Sequence, residues 1–464
     1  MKAQNLGRLL LVALSLSVLT GCQTTNTSGE SGKTSDTPKT SDTGKTSTST
    51  STSTREKTAV EKALEDAEGL TQDKLFEKAA AELGTTNKLR VLATTSRGNK
   101  PAVADLFLKK LQAYNKDITA PLNYQTTVDG QIYTKINAGI DSNNVIADCA
   151  ILQDGYQLST KGTKYLNFIP KEWKEATGVN VSRDSKPFAL QYNFKTIMYN
   201  NKGLTDFKID NVWDLTDSSM KGKIDTMDPN NENVNMDFLI QLTSDSMNAE
   251  LKAAYEDTAT RNSDVDLNKY SKYGEKKYSY AFIDKFLTNA IFYDDDGKAI
   301  GHLANTPGTV GWIVYSKLLK VEESEAISKK NIVVAALGAT NDDKEAATSA
   351  IKGFSGFMYK HYLQVMPNCA YPYAAAAFFS LISTNADAYS VWGKDVGDYP
   401  TLPSINVDRT KNGYVDGTNT YPCLNDKSSD WWIDTAKAGV EDPAYIGANY
   451  DSVIDFIDAS ISAK

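Results

Sequence analysis

The chain is poor in the residues on which most enzymes and metal sites rely. Its 464 residues include two histidines, His302 and His361, and four cysteines. Neither histidine lies in an HExxH pattern and no CxxC pair occurs, which removes the common zinc frameworks and most histidine-based catalysis. The nucleophile elbow GxSxG and the phosphate loop GxxxxGK[ST] are also missing. Positive charge is in deficit: the formal net charge is −8 and no basic stripe offers itself to a polyanion, which excludes nucleic-acid binding as a function class. After the first twenty residues no long apolar run appears, so nothing in the body reads as a membrane span.

What is present begins at the amino terminus. Lys2 and Arg8 precede an apolar run, Leu9 to Leu19, that is too short to cross a bilayer, which takes about 20 residues. A basic start followed by a short apolar core is a secretory signal. It ends in Leu19-Thr20-Gly21-Cys22, which resembles a bacterial lipobox. The resemblance implies a signal peptide over 1–21, cleavage before Cys22 and a diacylglycerol anchor on its sulfur. From Cys22 to about residue 57 the chain is almost wholly Ser, Thr, Gly, Lys and Asp, and is expected to be a disordered linker. Such a coil has a reach of about 30 Å, enough to hold a folded body off a membrane.

Roughly 400 residues remain, more than one core usually holds and typical of two lobes. With Cys22 used by lipid, three cysteines are left. Cys369 and Cys423 lie in loop-like contexts flanked by proline and are a candidate bridge outside the cytoplasm. Cys149 sits in the apolar run Val145 to Leu152 and reads as a buried free thiol.

The body opens with two predicted helices within 58–87, the second from Thr71, a plausible N-cap, to Leu83, with Gly84 as its stop. Leu89 to Thr94 reads as a buried strand. It enters the polar loop Thr95-Ser96-Arg97 and then a helix that begins near Pro101. A second unit follows: a strand at Leu122 to Gln125, a loop containing Asp129, and a helix with Ile132, Ile136 and Ile140 on one face. Another strand, Val145 to Ala150, leads into Gln153-Asp154-Gly155. Alternating strands and helices predict an α/β class with a mostly parallel sheet, whose ligands bind at the carboxyl ends of the strands. Further on, Ile197-Met198-Tyr199-Asn200 reads as a strand entering a polar turn. Asp228 to Asn235 crowds hydrogen bonders, among them Asn230 and Asn231, in front of an apolar helix. Tyr293-Asp294-Asp295-Asp296-Gly297 lacks calcium-loop spacing and reads as a hairpin turn. The Tyr/Lys-rich stretch Tyr270 to Tyr280 reads as a surface face or an insertion. A strand is predicted at Ile332 to Leu337, long helices at Asp342 to Tyr362 and Ala374 to Ile382, and a last helix from Asp451 to Ile461. The tryptophans Trp312, Trp392, Trp431 and Trp432 suit packing better than stacking on a sugar.

Several stretches in order then resemble one family. They are Leu75 to Glu82, Ile146-Ala147-Asp148, Ile197 to Asn200, Trp213-Asp214-Leu215, Met220 to Ile224 with Asp228-Pro229, Gly311 to Lys317, and Tyr371 to Ala375. Together they resemble extracellular solute-binding proteins of ABC importers, in the group that includes ferric-iron, polyamine and sugar-phosphate binders. The resemblance implies a two-lobe type II periplasmic-binding fold with a hinge and an interlobe cleft. Lobe 1 would comprise 88–193 and 315–464, and lobe 2 194–314. It also implies a non-enzymatic, monomeric receptor without cofactor or resident metal, tethered to a membrane through Cys22 and facing outside the cytoplasm. Its partners would be a small polar organic solute and permease subunits. The ferric group's adjacent tyrosines are missing, since no Tyr-Tyr pair occurs. Candidate ligand-binding residues are Thr95, Ser96, Arg97, Asp129, Asp154, Asn200, Asn230, Asn231 and Tyr371. Arginine in the first loop suits a carboxylate or phosphate, which it binds through two charged hydrogen bonds. The other class kept open is a surface glycan-binding or glycan-hydrolysing lipoprotein using carboxylates such as Asp228 and Glu232.

Overall fold

The computed structural model describes residues 55–318, 332–340, 351–393, 397–405 and 427–464. Cys22, the linker and Cys423 lie outside the described residues. The body, Glu56–Lys464, forms one unit.

Helix α1 (Ala59–Glu68) starts on a capping box: Thr58 Oγ1 accepts from Glu61 N at 3.2 Å while Thr58 N donates to Glu61 Oε2 at 2.7 Å. Helix α2 (Gln72–Leu83) follows Thr71 and stops at Gly84, whose φ is 57°. Three βα units come next: β1 (Leu89–Ala93) with α3 (Pro101–Gln112), β2 (Leu122–Thr126) with α4 (Asp129–Asp141), and β3 (Cys149–Leu152) with α5 (Gly155–Lys161). After α6 (Lys171–Glu175) and α7 (Val181–Asp184) runs the long β4 (Ala189–Asn200). Then come β5 (Ile224–Met227), α8 (Asn233–Gln241), α9 (Asp245–Glu256), α10 (Lys277–Asn289), β6 (Ala290–Tyr293), α11 (Asp296–Asn305) and β7 (Val310–Val314). The rest comprises β8 (Ile332–Val334), β9 (Ala339–Thr340), β10 (Gly356–Val365), α12 (Pro372–Thr384), α13 (Ala386–Tyr389), β11 (Asp398–Pro400), β12 (Gly439–Val440) and α14 (Pro443–Ser462).

One sheet carries the order β2-β1-β3-β10-β4-β7-β5-β6. Its flanks are parallel: β2, β1 and β3 on one side, β7, β5 and β6 on the other. The central β4 and β10 are antiparallel to each other and serve both flanks. Register fixes the geometry. The carboxyl end of β3 lies level with Tyr362, and Tyr362 with Ala189, at the start of β4. The carboxyl end of β7 lies level with Lys195, six residues further along β4. The carboxyl ends of the two flanks therefore face each other across the middle of β4 and β10. Helices α2, α3 and α12 cover one face of the first flank, α4 and α5 the other, and a separate core holds the second flank together.

Several expectations are corrected. Residues 356–362, expected as the end of a long helix, belong instead to the strand β10, and 341–350 lie outside the described residues. Ile351, Phe354 and Phe357 have helical spacing, but both faces of β10 are buried, so apolar residues occur without alternation and the period misleads. Tyr270, Tyr278 and Tyr280 are buried rather than forming a surface face. Asp295 caps α11, with its Oδ1 accepting from Lys298 N at 3.1 Å, so the acidic run is a strand-to-helix junction rather than a hairpin. The predicted strand at Ile332 to Leu337 ends at Val334 in a turn, and the last helix starts two turns earlier than expected, at Pro443. Trp312, Trp392 and Trp432 are core residues, and Cys149 and Cys369 are buried free thiols.

Candidate functional site: a polar band between the sheet flanks

Along β4, the apolar run is interrupted at every second position by Gln191, Asn193 and Lys195, all buried. Opposite them on β10 stand His361, Tyr359 and Phe357. Strand alternation puts these side chains on one face of the crossing strands. This is a signal that sequence reasoning missed: polar residues at period two inside an otherwise buried strand.

Loops from both flanks close over this face. Arg97 Nη1 donates to Asp398 Oδ2 at 2.7 Å, and Asn193 Nδ2 donates to Asp398 Oδ1, also at 2.7 Å. Lys195 Nζ is paired with Glu232 and donates to Asn235 Oδ1 at 2.8 Å. Tyr359 stands between these pairs, under the influence of Glu232, Asp296, Asp398 and Arg97. Burial first, and then those acids, push its phenol well above the usual range. Oδ1 of Asp296 is buried without a hydrogen-bond partner. His361 shares a 2.8 Å hydrogen bond with Gln191, and burial, then Arg97, lower its pKa to about 3. A neutral imidazole at that depth neither donates nor takes a proton near neutral pH.

A second end of the band lies at the start of α5. Asp154 accepts from Gln157 N at 2.9 Å and from Asn233 Nδ2, on the other flank, at 2.6 Å. Gly155 N donates to Asp237 Oδ2 at 2.8 Å and to Glu441 Oε1 at 3.3 Å. Glu441 Oε2 accepts from Lys360 N at 3.0 Å and from the Tyr362 hydroxyl at 2.5 Å. Burial raises the pKa of all three acids. Beside them is a cavity of about 300 Å³ lined by Tyr156, Lys161, Asn230, Asn233, Asp237 and Tyr450, among others. Tyr156 and Tyr450 stack with ring centroids 3.6 Å apart.

The residues singled out from sequence divide between these places. Arg97 joins the first end but already faces Asp398. Thr95 and Ser96 flank it, and their loop turns inward on itself: Arg97 N donates to Thr95 Oγ1 at 3.3 Å and Lys100 N to Arg97 O at 3.1 Å. Gly98 is needed there, because a Cβ would meet Tyr124 Cε2 at 2.5 Å. Asp154 and Asn230 join the second end. Asn231 is exposed, its Nδ2 donating to Asp228 Oδ2 at 3.3 Å. Asp129 opens α4, next to Gly130 at the cavity wall; its side chain lies outside the described residues. Asn200 is elsewhere. Its Nδ2 donates to Leu303 O and Ala304 O at 2.8 and 3.1 Å, level with the start of β5 rather than its carboxyl end. Tyr371 is elsewhere too, its ring against Arg90 at the opposite end of β1 from Thr95. Lys195, Asp237, Tyr359, Asp398, Glu441 and Tyr450 were not foreseen.

Among the described residues, no group of three or more His, Cys, Asp or Glu is placed to hold a metal ion, and no helix is long and apolar enough to cross a membrane. No protein-family model matches the chain and no curated protein is significantly similar to it in sequence. Solved structures are similar in fold. Iron-bound HitA from Pseudomonas aeruginosa is 12% identical with a TM-score of 0.51, over 80% of this chain and 99% of that one. Trichodesmium IdiA (FutA), in complex with iron and citrate, gives the same identity, score and coverage. Apo ferric ion-binding protein A of Pasteurella haemolytica is 11% identical with a TM-score of 0.51, over 81% of this chain and 98% of that one. The chain thus has the α/β fold of type II periplasmic binding proteins, with β4 and β10 running between the two parallel sheet flanks.

Proposed function

We propose that this chain is the solute-binding component of an ABC importer, held at the outer face of a membrane by lipid on Cys22. It captures a small polar organic solute between lobe 1 (88–193 with 315–464) and lobe 2 (194–314) and presents it to a permease. Binding closes the lobes about β4 and β10. The observation that carries this reading is the pair of opposed strand ends across two crossing strands, with polar side chains of both flanks converging between them. An organic solute is favoured by the amides and phenols around a cavity at the small end of ligand-pocket sizes. Arg97 would anchor an acidic group by exchanging Asp398 for it. No catalysis is required of the site.

Native mass spectrometry of the full-length chain released from detergent tests this. A defined additional mass that leaves on unfolding supports a receptor. A melting screen against sugars, sugar phosphates, polyamines, amino acids and ferric salts is the companion test. A ligand at 100 times its Kd adds about 2.7 kcal/mol. Turnover of a glycan instead of its stoichiometric, reversible binding would overturn the proposal.

A further inference from the structure

The acids at the second end of the band are held by neutral donors rather than by a paired cation. Asp237 and Glu441 both accept from the single N–H of Gly155, which sets the two carboxyl groups side by side. Gly155 makes this approach possible, since a Cβ there would lie 3.2 Å from the Glu441 carboxyl. Oδ1 of Asp237 is fully buried and has no partner. Two carboxylates side by side cannot both be ionised in a buried place.

Among the described residues no cation pairs directly with Asp237 or Glu441; Lys360 acts on Glu441, and Lys161 on Asp154, only through space. Lys360 of β10 is the buried candidate, but its Nζ donates to Arg183 O at 2.8 Å and lies 3.3 Å from Asp184. Lys161 of α5 donates to Gln157 Oε1 at 2.8 Å. Asp154, from the loop after β3, adds a third negative group, and Tyr362 of β10 already donates its proton to Glu441. Tyr156 of α5 and Tyr450 of α14 also face the cluster, Tyr133 of α4 acts on Tyr362, and Arg183, Lys186, Glu250 and Lys437 line the cavity on the other side of Glu441.

These four residues come from three different parts of the fold. Gly155 and Asp154 lie on the first flank, Asp237 is on α8 of the second, and Glu441 joins β12 to α14. We propose that Asp237 and Glu441 share one proton, and that this proton latches α8 to the start of α5, so that closing the lobes takes up a proton and raising the pH loosens them. The proposal rests on the reading of two lobes that close. Burial and the neighbouring acids raise the pKa of Asp237 in the latched state. The latch is therefore complete at acidic pH and is lost as pH rises through the raised value, each unit above it weakening the contact about tenfold for one proton.

The test needs no solute. The amides of Gly155 and Tyr156 open a helix, have no intrahelical acceptor and depend on Asp237 for protection. Hydrogen exchange of the full chain is measured from pH 6 to pH 9 and corrected for intrinsic rates, with the Val91–Ala93 segment as reference. Protection at 155–156 is expected to fall with rising pH, by up to about tenfold per unit, while the reference holds. Asp237→Asn and Glu441→Gln, each carrying a permanent donor, are expected to flatten the profile. Should one of them fail to fold, the other decides. Wild-type protection independent of pH, or the same slope in the folded variants, would overturn the latch. The receptor reading would survive that result, since it stands on a bound solute and not on exchange.

Discussion

The two ends of the polar band handle buried charge in different ways. Around Tyr359, each basic group meets an acid from another segment: Arg97 with Asp398, Lys195 with Glu232. At the start of α5, three acids gather with no directly paired cation among the described residues, and hydrogen bonds from Gly155, Asn233 and Tyr362 take the place of a countercharge. The first arrangement is strong while both partners are present and costly when one is removed. The second responds to protons. Their pH limits lie on opposite sides. His361 must stay neutral at the first end, whereas the second must keep a proton.

The largest effect is expected on β10, opposite Lys195. Phe357→Ala on β10 removes a ring packed 5.6 Å from Phe238 and is expected to cost about 3–5 kcal/mol in urea unfolding. A cost near zero would argue against the strand register. Lys195→Met leaves Glu232 largely buried without its cation, and is expected to cost about 3 kcal/mol. The pH profile of stability sharpens the comparison. The part of wild-type stability that depends on His361 should be full above its unperturbed value of 6.5 and decline as pH falls from there towards about 3, because the folded protein disfavours the charged ring. His361→Gln should remove that part of the acid slope and leave the alkaline side unchanged. Asn200→Ala is expected to cost about 1–2 kcal/mol through the carbonyls it leaves unpaired, without changing solute affinity. Smallest of all, Tyr371→Ala should cost about 0.5–1 kcal/mol through its contact with Arg90, and should also leave affinity unchanged. A large loss of solute binding in either of the last two would return that residue to the site.

The candidate site was legible from sequence only where a loop follows a clear strand. Asp154 and Arg97 follow β3 and β1, whose apolar runs are short and bounded, and Asn230 stands before a helix start. Asn200 and Tyr371 also flank regular elements, but at the amino-terminal side of the parallel strands, and strand direction is not written in a local pattern. Asp398, Asp237 and Glu441 offered no local cue at all, since each acquires its role from partners distant in the chain. Glu441 lies 286 residues from Gly155, and Asp398 lies 301 from Arg97.

By itself the sequence determined the alternation of strands and helices in the first flank, the helix start at Thr58 and the stop at Gly84, because caps and periodicity act over a few residues. Tertiary structure alone decided that residues 356–365 are a strand, since their hydrogen bonds go to β3 and β4, about 160 to 210 residues away, and a fully buried strand shows no alternation. It also decided which charges meet in the band. Pairing Lys195 with Glu232, or crowding Asp237 against Glu441, depends on how two flanks fold about shared central strands, and no segment of the chain carries that information on its own.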